Sequence, residues 1–234
     1  MTTNGPSGEV AWALGIPWWT WGAIAEVTEW IATQHRALRV FEWGAGGSTV
    51  YFARMGARQI VSVDDNRQWS QAAWTRVMEE WPQIRTVHNR NVNDEPDVQQ
   101  APPSSDARFT CASLKAPSRY IDLVAGVFPV DAKTPATLGR YAAAINAFDD
   151  PFDIVLVDGR CRAQCLANAG AQVAPGGLLI LDNSEREAYS SVVLAYNLAW
   201  STRHRGNDEW RTTIWRREGN PPPRMPDGIP VSTD

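Results

Sequence analysis

Apolar and polar positions follow two rhythms along this chain. Pro17 opens a helical stretch, as proline is tolerated in a first turn, and Trp21, Ile24, Val27 and Ile31 recur at one-face helical spacing through to about Arg36. Leu38 to Trp43 is then a short apolar strand that stops at a glycine cluster. Thr49 to Met55 forms the next helix, and Gly56 ends it. Gln59 to Val63, β-branched and apolar, predicts a second strand closed by Asp64-Asp65-Asn66. Gln68 to Trp81 predicts a helix stopped by Pro82, and Ile84 to His88 a third strand.

The pattern weakens over residues 89 to 134. Glu95 to Ser105 is rich in Pro, Asp and Ser and predicts an exposed loop, while Tyr120 to Pro129 is a strand or a buried connection. Order returns with a helix over Thr137 to Phe148. The run Ile154-Val155-Leu156-Val157 suits a parallel strand covered on both faces. Ala163, Leu166, Ala169, Gly170 and Val173 form a helical stripe, Pro175-Gly176-Gly177 turns the chain, and Leu178 to Leu181 is a further apolar strand. Leu198 to Arg203 and Trp210 to Arg216 flank Gly206-Asn207-Asp208, a turn signal for a terminal antiparallel pair. Strands alternating with helices predict an α/β fold with a doubly wound, mostly parallel sheet. The expected organisation is a flexible lead over residues 1–15, a single domain over 16–218 with an irregular insertion at about 89–134, and a disordered Pro-rich tail over 219–234.

Size and composition narrow the function classes. At 234 residues the chain buries a core without disulfides or a structural metal. A formal net charge of −4, with no block of Lys or Arg, argues against a nucleic-acid surface. The polar opening from Met1 to Val10 lacks the basic and apolar regions of a secretion signal. No apolar run approaches the roughly 20 residues of a membrane span. Cys111, Cys161 and Cys165 show no zinc-type spacing and read as reduced thiols. A soluble cytoplasmic protein is expected. Of the twelve tryptophans, Trp21, Trp30, Trp74 and Trp215 read as packing residues, and the Trp18-Trp19-Thr20-Trp21 cluster either packs or lines a substrate mouth.

Chemistry concentrates at strand ends. A strand running into Gly44-Ala45-Gly46-Gly47 and then a helix makes a nucleotide-type turn, because glycine permits a sharp turn and close approach of a ligand. Asp64 ends the next strand, twenty residues beyond Gly44, where a carboxylate accepts ribose hydroxyls. A dinucleotide fold prefers a third glycine where Thr49 stands. Glu42, two residues before Gly44, repels a pyrophosphate and attracts an ammonium group. This pattern favours S-adenosylmethionine over NAD.

With these residues the chain resembles class I S-adenosylmethionine-dependent methyltransferases. Glu42-Trp43-Gly44-Ala45-Gly46-Gly47-Ser48 looks like their glycine-rich motif, and Val61-Ser62-Val63-Asp64 like their ribose-binding strand end. Phe152 to Gly159 is similar to their fourth-strand motif, Pro175 to Asp182 to their Pro-Gly-Gly turn and fifth strand, and Trp210 to Trp215 to their seventh, antiparallel strand. The resemblance implies a seven-stranded sheet with a C-terminal antiparallel hairpin in a three-layer sandwich. It also implies cofactor contacts from Glu42, Gly44, Ala45, Gly46, Ser48, Asp64 and Asp158, with Asp65 or Asn66 near the adenosine.

Asp158 and Asp182 end two successive strands at the sheet's carboxyl edge, and Asn183 follows directly. They look like the Mg²⁺ ligand set of catechol-type O-methyltransferases, and oxygen donors suit that ion. Capping and ion pairing explain the same residues without metal. Asp158 is also the candidate catalytic group. Arg160 and Arg162 either clamp an anionic substrate or pair structurally with Asp153 or Glu185, and Asp182 is a further candidate substrate contact. His88 and His204 are alternative bases. The expected reaction is methyl transfer to an oxygen, less readily a nitrogen, of a small molecule, with oligomeric state open. An aminopropyltransferase, an NAD-dependent oxidoreductase and a non-catalytic cofactor-binding module are the competing readings.

Overall fold

In the computed structural model, which describes residues 4–81, 87–91, 122–127 and 135–220 (the backbone alone for 87–91, 122–127 and 135–137), eight strands share one sheet. In chain order they are β1 (Arg39–Trp43), β2 (Gln59–Asp64), β3 (Val87–Asn91), β4 (Asp122–Val127), β5 (Phe152–Val157), β6 (Val173–Leu181), β7 (Ser201–Gly206) and β8 (Arg211–Arg216). They lie side by side as β3-β4-β2-β1-β5-β6-β8-β7. β3 through β6 pair in parallel, whereas β8 pairs antiparallel with both β6 and β7. The doubly wound sheet and its closing hairpin are therefore as expected, but among the described residues the sheet has eight strands where seven were expected. The addition is β4, inserted between β3 and β2 from the stretch read as a strand or a connection.

Each central strand is apolar on both faces, and the two faces feed different cores. Val40, Ile60, Ile154, Leu178 and Ile214 face helices α2 (Trp21–Ala32), α3 (Gly47–Arg54) and α4 (Arg67–Glu80). Their chain neighbours Phe41, Val61, Val155, Leu179 and Trp215 face α5 (Pro135–Ala143), α6 (Arg162–Ala169) and α7 (Ser190–Ala199). The continuous apolar runs follow from this double burial. Three layers result, as the resemblance implied.

Local signals set the helix boundaries. The Thr20 hydroxyl caps α2 by accepting from Ala23 N, so the helix starts after Pro17 and ends at Ala32, short of Arg36. Asn66 caps α4 through Trp69 N at 3.0 Å. α5 is shorter than the predicted Thr137–Phe148 helix because its last turn tightens to a 3₁₀ turn over Ala144–Ala147. Gly176 (φ +76°) lets the chain bulge before Leu178, and the β5–β6 register shifts there.

Three expectations change. Residues 8–14, expected within a flexible lead, form helix α1 (Gly8–Leu14), capped by Ser7 and closed by Gly15 at φ +60°. It is tied down by Arg54 Nη1, which donates to Leu14 O at 2.8 Å, and by an Arg76 bond to Trp12 O. Helix α7 is absent from the sequence reading, and Leu198, read as strand, lies inside it. Apolar residues surround much of α7, with Val192 and Tyr196 buried but Leu194 and Leu198 exposed, which blurs its periodicity. Trp21, read as packing, is exposed, whereas Trp19, Trp74 and Trp215 are buried. Among the described residues no helix is long and apolar enough to cross a membrane. Cys161 and Cys165 are buried free thiols, and Cys111 and the tail from residue 221 lie outside the described residues.

Candidate functional site

Strand order reverses between β1 and β5, the point at which open α/β sheets leave a crevice above their carboxyl ends. A cleft of about 570 Å³ opens there. Its floor and walls come from the β1–α3 turn (Gly44 to Ser48), the β2 end (Asp64, Asp65, Asn66) with Trp69, the β5 end (Asp158 to Arg160, Arg162), the β6 end (Asp182, Asn183, Arg186), and Trp18 with Trp210. Of the cofactor, substrate and metal candidates named from the sequence, all line this cleft except Glu42.

The glycine turn is shaped by the protein's own backbone. Gly44 has φ +100°, and a Cβ there would meet the Asp158 carbonyl carbon at 2.8 Å. Its glycine therefore lets β1 and β5 approach at the switch point. Three of the turn's amides are committed internally: Gly44 N donates to Val63 O (2.8 Å), Ala45 N to Asp64 Oδ2 (2.7 Å) and Gly46 N to Thr49 Oγ1 (3.0 Å). A phosphate-binding turn aims such amides at its anion. Here they are aimed inward.

Glu42 departs from its expected role as a cofactor contact. It is fully buried beneath α3, where it accepts from Ser48 Oγ at 2.6 Å and from Thr49 Oγ1. Thr49, at the place of a third dinucleotide-motif glycine, thus links Glu42 to the Gly46 amide. Burial pushes the Glu42 carboxyl up to about 7, against the pull of the two hydroxyls. Glu42 therefore shapes the turn from below.

Asp64 is buried, lines the cleft and accepts from Ala45 N and, at 2.6 Å, from Asn66 N. Burial raises it to about 6 despite those bonds. Each carboxylate oxygen retains acceptor capacity beyond one amide. Trp69, which the sequence reading did not single out, donates Nε1–H to Ala45 O at 2.6 Å, and its ring borders Gly46. Its signal was its place in the first turn of the helix after Asp64.

At the β5 and β6 ends, Arg162 dominates. It is nearly buried, and its guanidinium donates to the carbonyls of Gly159 (2.9 Å), Asp158 (3.1 Å) and Asp182 (2.5 Å), to Asn183 Oδ1 (3.1 Å), and pairs with Asp158 Oδ1 (3.0 Å). It clasps two strand ends and has no donor left to clamp a substrate. The Mg²⁺ set of Asp158, Asp182 and Asn183 fails for the same reason, since a cation already stands among those residues. Among the described residues no three His, Cys, Asp or Glu side chains gather as a metal site. Arg160 pairs with Asp65 at 3.0 Å, and neither arginine uses the anticipated partners. Asp153 instead pairs with Arg36, and Glu185 accepts from Arg211 N at 2.8 Å.

Asp182 is buried, and its Oδ1 accepts from Thr212 Oγ1 (2.7 Å) and Trp210 Nε1 (3.2 Å). Burial first, and the nearby Asp158 charge second, lift it to about 7. Burial also raises Asp158, opposed by Arg162. His204 lies on β7 with Nδ1 2.8 Å from Thr213 Oγ1, outside the cleft, and the His88 side chain lies outside the described residues.

No family model matches the sequence, and neither does any curated protein. Among solved structures, the chain is similar to a methyltransferase-like protein from Silicibacter pomeroyi DSS-3, at 20% identity and TM-score 0.50, covering 85% of this chain and 88% of that one. It is similar at 12% identity and TM-score 0.50 to yhhF from Escherichia coli, described as a candidate methyltransferase, covering 86% of this chain and 87% of that one. At these identities the likeness is one of fold.

Proposed function

We propose that the chain binds S-adenosylmethionine in the switch-point cleft and transfers its methyl group to an oxygen of a small molecule. The observation that carries this is the pairing of a glycine turn whose Gly44, Ala45 and Gly46 amides are already engaged with a buried acceptor, Asp64, at the neighbouring strand end. A nucleoside with ribose hydroxyls suits Asp64. A pyrophosphate would find the Gly44, Ala45 and Gly46 amides already engaged, which disfavours NAD. The fold likeness to methyltransferase-like proteins agrees with this reading.

Asp64 and the Gly44–Gly47 turn would hold the nucleoside, with Trp69 bordering it. The bound cofactor supplies an electrophilic methyl on a sulfonium. What this chain contributes is alignment of the acceptor and a dry wall, and orientation is worth several kcal/mol in such transfers. Asp158, engaged by Arg162, is better suited to hold the β5 end than to take a proton. Mg²⁺ has no part in this reading.

A thermal melt tests it. S-adenosylhomocysteine should raise Tm progressively with its concentration, by mass action on the folded state, while NAD⁺ leaves Tm unchanged. A shift with NAD⁺ alone would replace this proposal by a dinucleotide enzyme.

A further inference from the structure

The cleft extends beyond the glycine turn into a second wall, made of Trp18, Arg186 and Trp210 above Asp182. Trp18 is 58% exposed, large for an indole held in place. It is held nonetheless, packed against Gly8 of α1 and edge-on to Trp210 at 6.5 Å between ring centroids. Indoles arranged edge to face leave ring faces open to a further planar group. Arg186 is exposed, and among the described residues it forms no salt bridge, unlike Arg160 and Arg162 on the same cleft. Its hydrogen-bond partner is neutral, Asn183 Oδ1 at 3.5 Å, while its charge reaches the Asp158 carboxylate only through space. Asp182 completes the set: its Oδ1 is occupied by Thr212 and Trp210, and Oδ2 receives only the long 3.4 Å share of the same indole N–H.

Resting on the cofactor reading above, we infer that this wall is the acceptor subsite for a hydroxyaryl carboxylate, with the ring against Trp18 and Trp210, the carboxylate on Arg186 and the hydroxyl at Asp182 Oδ2. The chemistry balances. The acceptor oxygen forms the new O–CH₃ bond with a lone pair, the C–S bonding pair returns to sulfur as a neutral thioether, and the hydroxyl proton passes to Asp182. A carboxyl lifted to about 7 is nearer to a phenol in proton affinity than an ordinary aspartate is. An exposed guanidinium adds selectivity for an anion through a charge-assisted bond.

The test uses 4-hydroxybenzoate and its neutral analogue 4-hydroxybenzyl alcohol, titrated calorimetrically into the full chain with and without saturating S-adenosylhomocysteine. The acid should bind one-to-one and at least about tenfold more tightly than the alcohol, and Arg186→Gln should erase that preference while leaving Tm unchanged. Trp18→Ala should weaken both probes. Equal binding of acid and alcohol to the wild type, a preference surviving in Arg186→Gln, or no binding of either probe overturns the subsite. In transfer from methyl-labelled cofactor, Asp182→Asn should keep the acid's affinity within about twofold and slow methylation at least about a hundredfold. An unchanged rate, or no transfer from wild type to bound acid, overturns the place given to the hydroxyl. Failure of S-adenosylhomocysteine itself to bind sinks the cofactor reading separately, because the cofactor-free probe titrations still decide the subsite.

Discussion

Glu42 shows how a charge in the right motif can serve a different end. An acid two residues before the first glycine suggests attraction to an ammonium group, yet the side chain is sealed below α3 and spends its oxygens on Ser48 and Thr49. Its pH dependence follows. The folded carboxyl sits near 7 and the ordinary value is 4.5, so between those limits the folded state binds more protons than the unfolded one. Stability from this residue is therefore full below about 4.5 and falls as pH rises towards 7. Glu42→Gln, which cannot ionise, should gain on the wild type over that window by up to about 3 kcal/mol, read from urea midpoints at pH 5 and pH 7.5. A constant difference between the two proteins across that range would show that Glu42 does not titrate there. Some residues of the site were legible because strand ends locate them: Gly44 and Asp64 follow from the rhythm of β1 and β2. Trp69 and Trp210 were not, since an indole in a Trp-rich chain reads as core until neighbours show which edge is wet. Arg162 was half legible. It lies four residues after Asp158, but only the fold brings the Asp182 carbonyl and Asn183 to its other nitrogens.

Elements explain why the cleft keeps its shape. β1 and β5 approach so closely at Gly44 that a methyl there collides with backbone, and φ +100° strains any other residue. Gly44→Ala should cost about 2–4 kcal/mol in chemical denaturation and abolish cofactor binding. Retention of both would mean that the turn is softer than its contacts imply. The parallel strands were readable because burial on both faces makes them uniformly apolar. Helix α7 was not, because its apolar residues point in several directions and only Val192 and Tyr196 are fully buried. Tyr196 also donates to Leu166 O at 2.6 Å, tying α7 to α6. Tyr196→Ala should destabilise the protein by about 3–5 kcal/mol, while Leu198→Ala, at 81% exposure, should stay within about 0.5 kcal/mol of wild type. Comparable losses at both positions in thermal melts would contradict the packing of α7.

Across the whole molecule, three layers place every chemical group of the cleft at one sheet edge. β2, β1, β5 and β6 supply Asp64, the glycine turn, Asp158 and Asp182 in spatial order, and the β7–β8 hairpin returns Trp210 over the last of these. Helix α1, expected to lie in a flexible lead, packs through Gly8 against Trp18, which stands beside Trp210 on the same wall of the cleft. Doubly wound topology was legible from alternation alone. The number of strands was not, because the apolar run Tyr120 to Pro129, which holds β4, suits a strand and a buried connection equally. The central claim is that this edge holds the nucleoside of S-adenosylmethionine through Asp64. Isothermal titration of S-adenosylhomocysteine into wild type and Asp64→Ala, with NAD⁺ in parallel, tests it most directly. One-to-one binding to the wild type, weakened about ten- to a hundredfold in Asp64→Ala and absent for NAD⁺, is the predicted result. Equal affinity in the two proteins, or binding of NAD⁺ in place of S-adenosylhomocysteine, would contradict it.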